Sequence, residues 1–281
     1  MRGEPFIGSE AMASGSLNRY QLRTQYSALL PDVYLKRRMK PSLRQRTTAA
    51  WLWSQRRGVV AGLAASAVHG SKWIDDHTPV ALIWRNTRPP RGVVTCNDTV
   101  LSGEFQMLNG LPITTPARTA FDLGRRGSLS ESVARLDALA RATGFKVRDV
   151  EDVMSSHRRI RGVRQLETAL DLVDSGAQSP KETWLRLVLI NAGLPKPQTQ
   201  IPVYYDGAYP FAFLDMGWND AMVAVEYDGD QHRTDRFQYV KDIRRLDRLR
   251  DLGWAVVRVI AEDRPAEIVG RVRRALNARS S

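Results

Sequence analysis

Residues 223–232, VAVEYDGDQH, place two carboxylates in a run that otherwise has the composition of a buried β-strand. Alternate side chains of a strand share one face, so Glu226 and Asp228 are expected to be neighbours on one side of a sheet. Asp215 lies near the end of the preceding strand candidate, and pairing of the two strands in a hairpin would bring Asp215 beside Glu226. Carboxylates that converge in this way repel one another unless they share a cation or a proton.

A divalent cation is the simplest relief for that repulsion. Oxygen ligands without cysteine favour Mg²⁺ or Mn²⁺ over zinc. We therefore predict a metal site with Asp215 and Glu226 as ligands. A structural alternative stays open, because Asp228 begins an Asp-Gly turn and Glu226 could pair with an arginine from the adjacent helix.

The C-terminal part of the chain predicts an α/β sandwich around a mixed sheet. Its segments follow the order helix, two strands, helix, strand, helix. The segment WAVVRVI, residues 254–260, has almost no polar face, which is typical of a central strand covered on both sides. The predicted elements are a helix from 182, strands over 209–218 and 221–229, a basic helix over about 236–251, a strand over 254–263 and a helix over 265–278.

A domain boundary is predicted near Gly176, where one helical pattern ends and a strong helix-start signal follows. The fold class is therefore α/β, with a mainly helical N-terminal domain over residues 1–175 and a mixed-sheet domain over 176–281. The N-terminal strands are predicted over 32–38, 78–85 and 92–98, and the helices over 16–25, 42–57, 63–70, 114–126, 128–144 and 161–176.

The charge balance of the chain is strongly basic. With 42 Lys and Arg against 30 Asp and Glu, the 281 residues carry a formal net charge of +12, which favours a polyanionic partner, with nucleic acid first. A single cysteine, Cys96, excludes a disulfide framework and is typical of a reducing compartment. The most apolar stretch, residues 59–70, is too short to span a bilayer. We therefore expect a cytoplasmic protein with DNA as partner and no membrane association.

Four segments of the C-terminal part resemble, in this order, the bacterial domains related to the very-short-patch-repair mismatch endonuclease, within the PD-(D/E)xK superfamily. They are SPKETWLR, LDMGW, VEYDGDQH and KDIRRLDRLRDLGWAVVRV, and the resemblance covers roughly residues 179–278. It implies a restriction-endonuclease-like fold and metal-dependent cleavage of DNA. It also implies that Asp215 and Glu226 bind the metal, that Glu182 is the acid of the leading helix, and that His232 is the histidine that follows the strand. His232 would act as acid or base near neutral pH, and the alternative is a loop histidine without a catalytic role.

Two departures from the family pattern put catalysis in question. Asp228 stands where the superfamily has a lysine, and LD replaces PD before the second strand. Lys241, or Arg245 one turn later, could reach in from the following helix to replace that lysine. Glu182 also has a structural explanation, because it stands in capping-box spacing to Ser179.

The basic helix that follows the acids predicts a DNA-binding face. Its apolar residues recur at helical spacing and should be buried, which leaves four cations exposed to follow phosphates. The alternative is a solvated face balanced by neighbouring aspartates. The residues predicted to be buried are Val240, Ile243, Leu246 and Leu249, and the cations are Lys241, Arg244, Arg245 and Arg248.

The segments DVYLKRR, VVAGLAASAVHG and GLPITTPARTAFDL resemble the N-terminal region of AbiEi-type antitoxin and transcriptional-regulator proteins, over about residues 16–175. That resemblance implies a DNA-binding winged helix at the start and a toxin as a further partner. This chain keeps one helix and the wing-like VYLKRR, so we expect a degenerate winged helix. Arg118 and Asp122, four residues apart on one helix, predict an ion pair without chemistry.

Two functions follow from these observations. The first is a metal-dependent DNA endonuclease that hydrolyses phosphodiester bonds in repair or defence, supported by the retained acids. The alternative is a non-catalytic DNA-binding regulator or antitoxin with a degenerate nuclease fold, supported by the missing lysine.

Overall fold

The computed structural model describes residues 3–86, 88–229 and 236–280, except for the side chains of residues 236–240 and 280. The chain divides into two compact units, Met1–Leu172 and Val173–Ser281, and the division lies close to the predicted boundary. Each unit combines helices with β-sheet, which confirms the mixed α/β class.

The first elements of the chain form a small antiparallel sheet with two short helices. They are β1 (Phe6–Ile7), α1 (Gly8–Ala13), α2 (Arg19–Gln25), β2 (Tyr26–Leu30) and β3 (Val33–Lys36). The strands pair in the order β1-β3-β2. Helix α2 begins with a capping box, in which the Asn18 and Gln21 side chains each accept a hydrogen bond from the other residue's N–H.

A mixed five-stranded sheet forms the core of the first unit. Its elements are α3 (Leu43–Trp53), β4 (Val59–Ala61), α4 (Gly62–Val68), β5 (Val80–Ile83), β6 (Val93–Cys96), β7 (Phe105–Leu108) and β8 (Leu111–Thr114). The strand order is β6-β5-β4-β8-β7. Val60 on the central strand pairs with Leu82 on one side and Ile113 on the other, and all three are fully buried.

Four helices complete the first unit, namely α5 (Pro116–Gly124), α6 (Leu129–Thr143), α7 (Val147–Ser156) and α8 (Val163–Leu172). The predicted ion pair within α5 is confirmed, with Arg118 Nε 3.2 Å from the Asp122 carboxylate. Arg118 is fully buried and also donates to the Glu104 carboxylate, which contacts His157 Nε2 at 2.6 Å. A cluster of buried charges therefore links α5 to the segments on both sides of it.

The second unit is a sandwich of three helices around a four-stranded mixed sheet. Its elements are α9 (Pro180–Asn191), β9 (Gln198–Val203), β10 (Ala212–Trp218), β11 (Val223–Tyr227), α10 (Arg236–Asp251), β12 (Ala255–Val259) and α11 (Pro265–Ser280). The strand order is β12-β11-β10-β9, with β11 and β12 parallel. Leu185 and Ile268 cover one face of the sheet and Leu249 covers the other, as predicted for this part of the chain.

The first unit contains more sheet than the sequence predicted. Strands β1, β2 and β4, the β7–β8 hairpin, and β9 in the second unit were all outside the predicted elements. Strands of two to six residues carry too little periodicity to stand out from their surroundings. Within the described residues, no helix has both the length and the hydropathy needed to cross a membrane.

Candidate functional site

Asp215 and Glu226 lie on neighbouring antiparallel strands, β10 and β11. The regular pairing of these strands ends at Met216 and Val225, and Asp215 and Glu226 are the next residues of β10 and β11. The Asp215 carboxylate accepts a hydrogen bond from the Tyr227 N–H at 2.9 Å. The two acids that the sequence singled out are therefore brought together, but Asp215 lies in the middle of β10 and not near its end, opposite the last residues of β11.

The sheet is locally irregular at Asp215. Leu214 packs with the residues on the α10 side of the sheet, whereas Met216 packs with those on the α9 side. Residues two apart in a regular strand share a face, so the alternation is interrupted between them. On the adjoining strand, Gln200 has a positive φ of 50° at the corresponding place. This distortion positions Asp215 near acids from both sides of the sheet.

Arg245 supplies the positive charge at this cluster. Its guanidinium donates to both Glu226 carboxylate oxygens, at 3.0 Å to Oε2, and also donates to the Phe213 carbonyl at 3.1 Å. This hydrogen-bonded ion pair raises the pKa of Arg245 above its usual value. A forked guanidinium–carboxylate pair of this kind is among the strongest side-chain contacts in proteins. The sequence had left open whether an arginine of the adjacent helix pairs with Glu226, and α10 provides it.

Asp215 has a strongly perturbed pKa. The pKa of this carboxyl is raised from 3.8 to about 7, mainly by burial and also by the negative charges of Glu182 and Glu226, against the opposing effects of the Tyr227 N–H and Arg245. Asp215 therefore shares the cluster with two other acids, and its carboxyl is half protonated near neutral pH. This environment agrees with the expectation that carboxylates converging here need a cation or a proton.

Glu182 combines its place near Asp215 with a capping role. The Ser179 side chain accepts from the Glu182 N–H at 3.2 Å, and the Glu182 carboxylate accepts from the Ser179 hydroxyl at 2.9 Å and from the Gln178 N–H at 2.8 Å. The carboxylate thus reaches the residue before the N-cap, and it stabilises the start of α9. The cap accounts for glutamate at this position without any metal.

The remaining predicted site residues are placed apart from this carboxylate–arginine contact. Asp228 is paired with Arg258 of β12, and its N–H donates to the Val259 carbonyl at 2.7 Å, so it closes the end of the strand. Lys241 is exposed on α10, and the cation that reaches Glu226 is Arg245. His232 lies outside the described residues.

The carboxylate oxygens of the cluster do not fit a divalent ion as they are arranged. Arg245 engages both oxygens of Glu226, the Tyr227 N–H occupies an oxygen of Asp215, and the start of α9 holds both oxygens of Glu182. Over residues 3–86, 88–229 and 236–280, no group of three or more histidine, cysteine or acidic side chains is set to hold a metal. The assignment of Mg²⁺ or Mn²⁺ to Asp215 and Glu226 stays a prediction.

The basic helix α10 is rotated relative to its predicted orientation. The prediction that Ile243 is buried is wrong, since its side chain is 42% exposed. Arg245, predicted on the exposed side, turns to the sheet because Glu226 needs a partner there. Arg244 is exposed as predicted, and the Arg248 guanidinium lies 5.5 Å from the centre of the Tyr205 ring.

A second candidate nucleic-acid interface lies at the start of the chain, where two short helices, α1 and α2, are followed by the β2–β3 hairpin. Helix α2 buries only Leu22, and Tyr20 on its outer side is 72% exposed. Two arginines are also exposed on this helix. Its exposed residues are Arg19, Tyr20, Arg23, Thr24 and Gln25. The sequence predicted a single helix capped by Ser16. The helix begins at Arg19, three residues later than predicted. The capping-box spacing of Asn18 and Gln21 is the sequence signal that marks this start.

Two polar contacts fix these helices. Arg56 forms two hydrogen bonds of 2.6 and 2.7 Å with the Glu10 carboxylate, which holds α1 against the residues that follow α3. Arg37, just after β3, donates to the Arg23 carbonyl at 2.7 Å, and a cation at this end of α2 also complements the helix dipole. Between α2 and the hairpin lies an open groove of about 720 Å³, whose lining includes Arg19, Tyr20, Arg23, Tyr34 and Arg37.

The comparison with known protein families concerns the part of the chain that follows α2 and the β2–β3 hairpin. Residues 42–175 match the family described as the AbiEi antitoxin C-terminal domain. The matched range begins at the cap of α3 and includes the whole five-stranded sheet. The resemblance to AbiEi-type proteins is thereby supported, over a range that starts later than residue 16. The nuclease resemblance of residues 179–278 stays a prediction.

Two relatives also match the chain, both uncharacterized proteins of Mycobacterium tuberculosis, from strains CDC 1551 / Oshkosh and H37Rv. Each is 28% identical over 180 residues, which is 63% of this chain. The match spans 66% of the length of each relative, slightly less than two thirds.

Proposed function

We propose that the chain is a DNA-binding regulator of the antitoxin type, which binds duplex DNA through α2. The observation that carries this proposal is the exposure of α2, which buries one residue and presents Arg19, Tyr20 and Arg23 outward. The net charge of +12 supports a polyanionic partner. The match of residues 42–175 to an antitoxin domain supports the regulatory class over the nuclease.

In the proposed complex, α2 enters the major groove, which is about 12 Å wide and admits one helix. The N-terminal residues of a recognition helix contact base edges. Arg19 and Tyr20 in the first turn would therefore read bases, while Arg23 and the basic run after β3 would contact phosphates. Bidentate arginine–guanine pairs are the commonest specific contacts of this type.

A toxin protein is the second proposed partner. The family that residues 42–175 match is described as an antitoxin domain, and this description supports a toxin as a partner. The matched sheet and helices, rather than α2, would then form the toxin-binding part. Co-purification of the chain with the product of a neighbouring gene would support this assignment, and variants of α2 should leave that interaction unchanged.

Duplex binding can be tested without knowledge of the operator. A duplex selected from a random pool by the full-length protein is labelled, and its affinity is measured by fluorescence anisotropy. We expect Arg19→Ala to reduce discrimination between the selected and a scrambled duplex by about 1–3 kcal/mol. Arg23→Ala should weaken both duplexes similarly and lower the salt slope by about 0.9.

A variant on another helix serves as the control. Arg135→Ala, on α6, removes the same charge away from α2 and should leave both affinities unchanged. Failure to enrich any duplex, or equal binding by the wild type and both α2 variants, would contradict the proposal.

A second candidate function is the metal-dependent endonuclease. The observation that favours it is the cluster of Asp215, Glu226 and Glu182, with the pKa of Asp215 raised to about 7. Incubation of plasmid, single-stranded and mismatched DNA with Mg²⁺ or Mn²⁺ tests this candidate, with Asp215→Asn as control. Cleavage that is lost in the Asp215→Asn protein would support it. Absence of cleavage, or equal cleavage by the variant, would remove it.

A further inference from the structure

The β9–β10 hairpin of the second unit presents a row of exposed aromatic rings. Tyr204 and Tyr205 are about half exposed, as is Phe213, and Tyr209 is 87% exposed. We call these four residues the aromatic hairpin. Leaving four large rings in water on one short hairpin forgoes the free energy of their burial, so the arrangement indicates a surface that binds a partner.

The basic helix α10 lies directly beside the aromatic hairpin. The Arg248 guanidinium is 5.5 Å from the Tyr205 ring centre, and Arg245 donates to the Phe213 carbonyl at 3.1 Å. These two contacts, one turn apart on α10, align the helix with the hairpin. Lys241 and Arg244 are exposed on the same helix. The Tyr205 ring and the cations of α10 therefore lie side by side, and Tyr204 and Tyr209 belong to the same connection between β9 and β10.

We propose that the aromatic hairpin and the cations of α10 bind single-stranded nucleic acid, with bases stacked on the tyrosine rings and phosphates beside Lys241, Arg244 and Arg248. Proteins that bind single strands combine stacking rings with a positively charged track in this way. Bases within a duplex are stacked on each other and offer no free face, so the rings select the unpaired strand. Binding at this surface is independent of duplex binding by α2, which lies in the other unit.

Charge favours this ligand over a protein partner. Tyrosine and arginine are enriched at protein interfaces, whereas lysine is depleted there, so the argument against a protein partner rests on Lys241 and on the charge that accompanies the rings. Here Arg248 stacks against Tyr205 itself, so a partner covering that ring also meets a cation. A polyanion with flat, apolar faces satisfies both groups at once.

Tyr209 provides the sharpest variant, because it is the most exposed ring of the four. The full-length protein is titrated into fluorescein-labelled 12-nucleotide oligo(dT) and oligo(rU), and anisotropy is recorded. Loss of one base–ring stack in Tyr209→Ala should weaken binding by about fivefold to 150-fold. Tyr209→Phe keeps the ring and should bind within about twofold of wild type. The tighter of the two oligonucleotides identifies DNA or RNA as the ligand.

Phe105→Ala is the matched control, because Phe105 is an exposed ring of the first unit. It should leave oligonucleotide affinity unchanged. Arg244→Ala should reduce the salt slope for oligo(dT) by about 0.7, the value for one phosphate contact on a single strand. Arg19→Ala on α2 should also leave this affinity unchanged, so failure of duplex binding and failure of single-strand binding are separable.

Three outcomes would overturn the proposal. The first is absence of binding to either oligonucleotide. The second is equal affinity of the Tyr209→Ala and wild-type proteins, with Tyr204→Ala also unchanged. The third is equal loss in Tyr209→Phe and Tyr209→Ala, because the ring would then not be the group that binds.

Discussion

The raised pKa of Asp215 makes the stability of the second unit depend on pH. Burial and two neighbouring acids raise this pKa from 3.8 to about 7 in the native state. Between these values the native state binds a proton that the unfolded state does not, so the free energy of unfolding falls as pH rises from about 4 to about 7. Above pH 7, native Asp215 is ionised at a cost of up to about 4 kcal/mol, taken as roughly three pKa units at 1.36 kcal/mol each.

Asp215→Asn removes this cost and keeps the shape of the side chain. The amide oxygen can still accept the Tyr227 N–H, which Asp215 accepts at 2.9 Å. We expect the variant to gain about 2–4 kcal/mol of stability at pH 8, and to match the wild type to within about 0.6 kcal/mol near pH 4, where the native carboxyl is protonated and the unfolded one is only partly ionised. The gain is expected despite the lost attraction to Arg245, because burial is the largest cause of the pKa shift.

Hydrogen exchange followed by mass spectrometry measures the change in stability locally, at the amides of the second unit, in the full-length protein. After correction for intrinsic rates, amides of β10 and β11 should exchange about 30-fold to 900-fold more slowly at pH 8 in the variant, the equivalent of 2–4 kcal/mol. Asp228→Asn is the matched control, since its partially exposed pair with Arg258 should change protection little. Equal protection of variant and wild type at pH 8, or an equal gain at pH 4 and pH 8, would refute the reasoning.

Three further substitutions test how much each ion pair contributes to stability. Arg245→Met should destabilise the second unit by about 2–4 kcal/mol in urea titrations, because it leaves Glu226 half-buried without its cation, and adding Glu226→Gln should recover most of the loss. Arg258→Ala should cost no more than about 1 kcal/mol by the same method, because its pair with Asp228 is partly solvated. Arg118→Met should cost about 3–5 kcal/mol and lower the melting temperature of the first unit, because two carboxylates lose a fully buried partner.

The sequence predicted the C-terminal sandwich well because its signals are long or local. The Ser179 cap of α9 operates within a few residues, and the apolar run of 254–260 marks a strand, β12, so the structure contains both elements. The prediction that this run is a central strand is wrong, because β12 is the edge strand of the order β12-β11-β10-β9 and, among the described strands, pairs only with β11. The β7–β8 hairpin was missed although Asn109-Gly110 signalled it, with positive φ values of 52° and 78° that suit a tight hairpin turn.

Elements that depend on distant residues were not accessible from the sequence. Helix α1 has no side-chain cap of its own, and its Ser9 N–H bonds to the carboxylate of Asp32, 23 residues later. At the acid cluster, the sequence identified Asp215 and Glu226 but did not show which cation pairs with them. That choice depends on how α10 is rotated against the sheet, which brings Arg245 rather than its exposed neighbours to Glu226.

The proposed function depends most directly on the placement of α2 in the major groove of duplex DNA. Replacing Tyr20 with the photoreactive benzoyl-phenylalanine and irradiating the complex with the selected duplex tests this placement at one residue, with Phe105 replaced in the same way as control. We predict a cross-link from position 20 to bases within the selected site and none from position 105. A cross-link from position 105 alone, or none from either position at saturating protein, would contradict it.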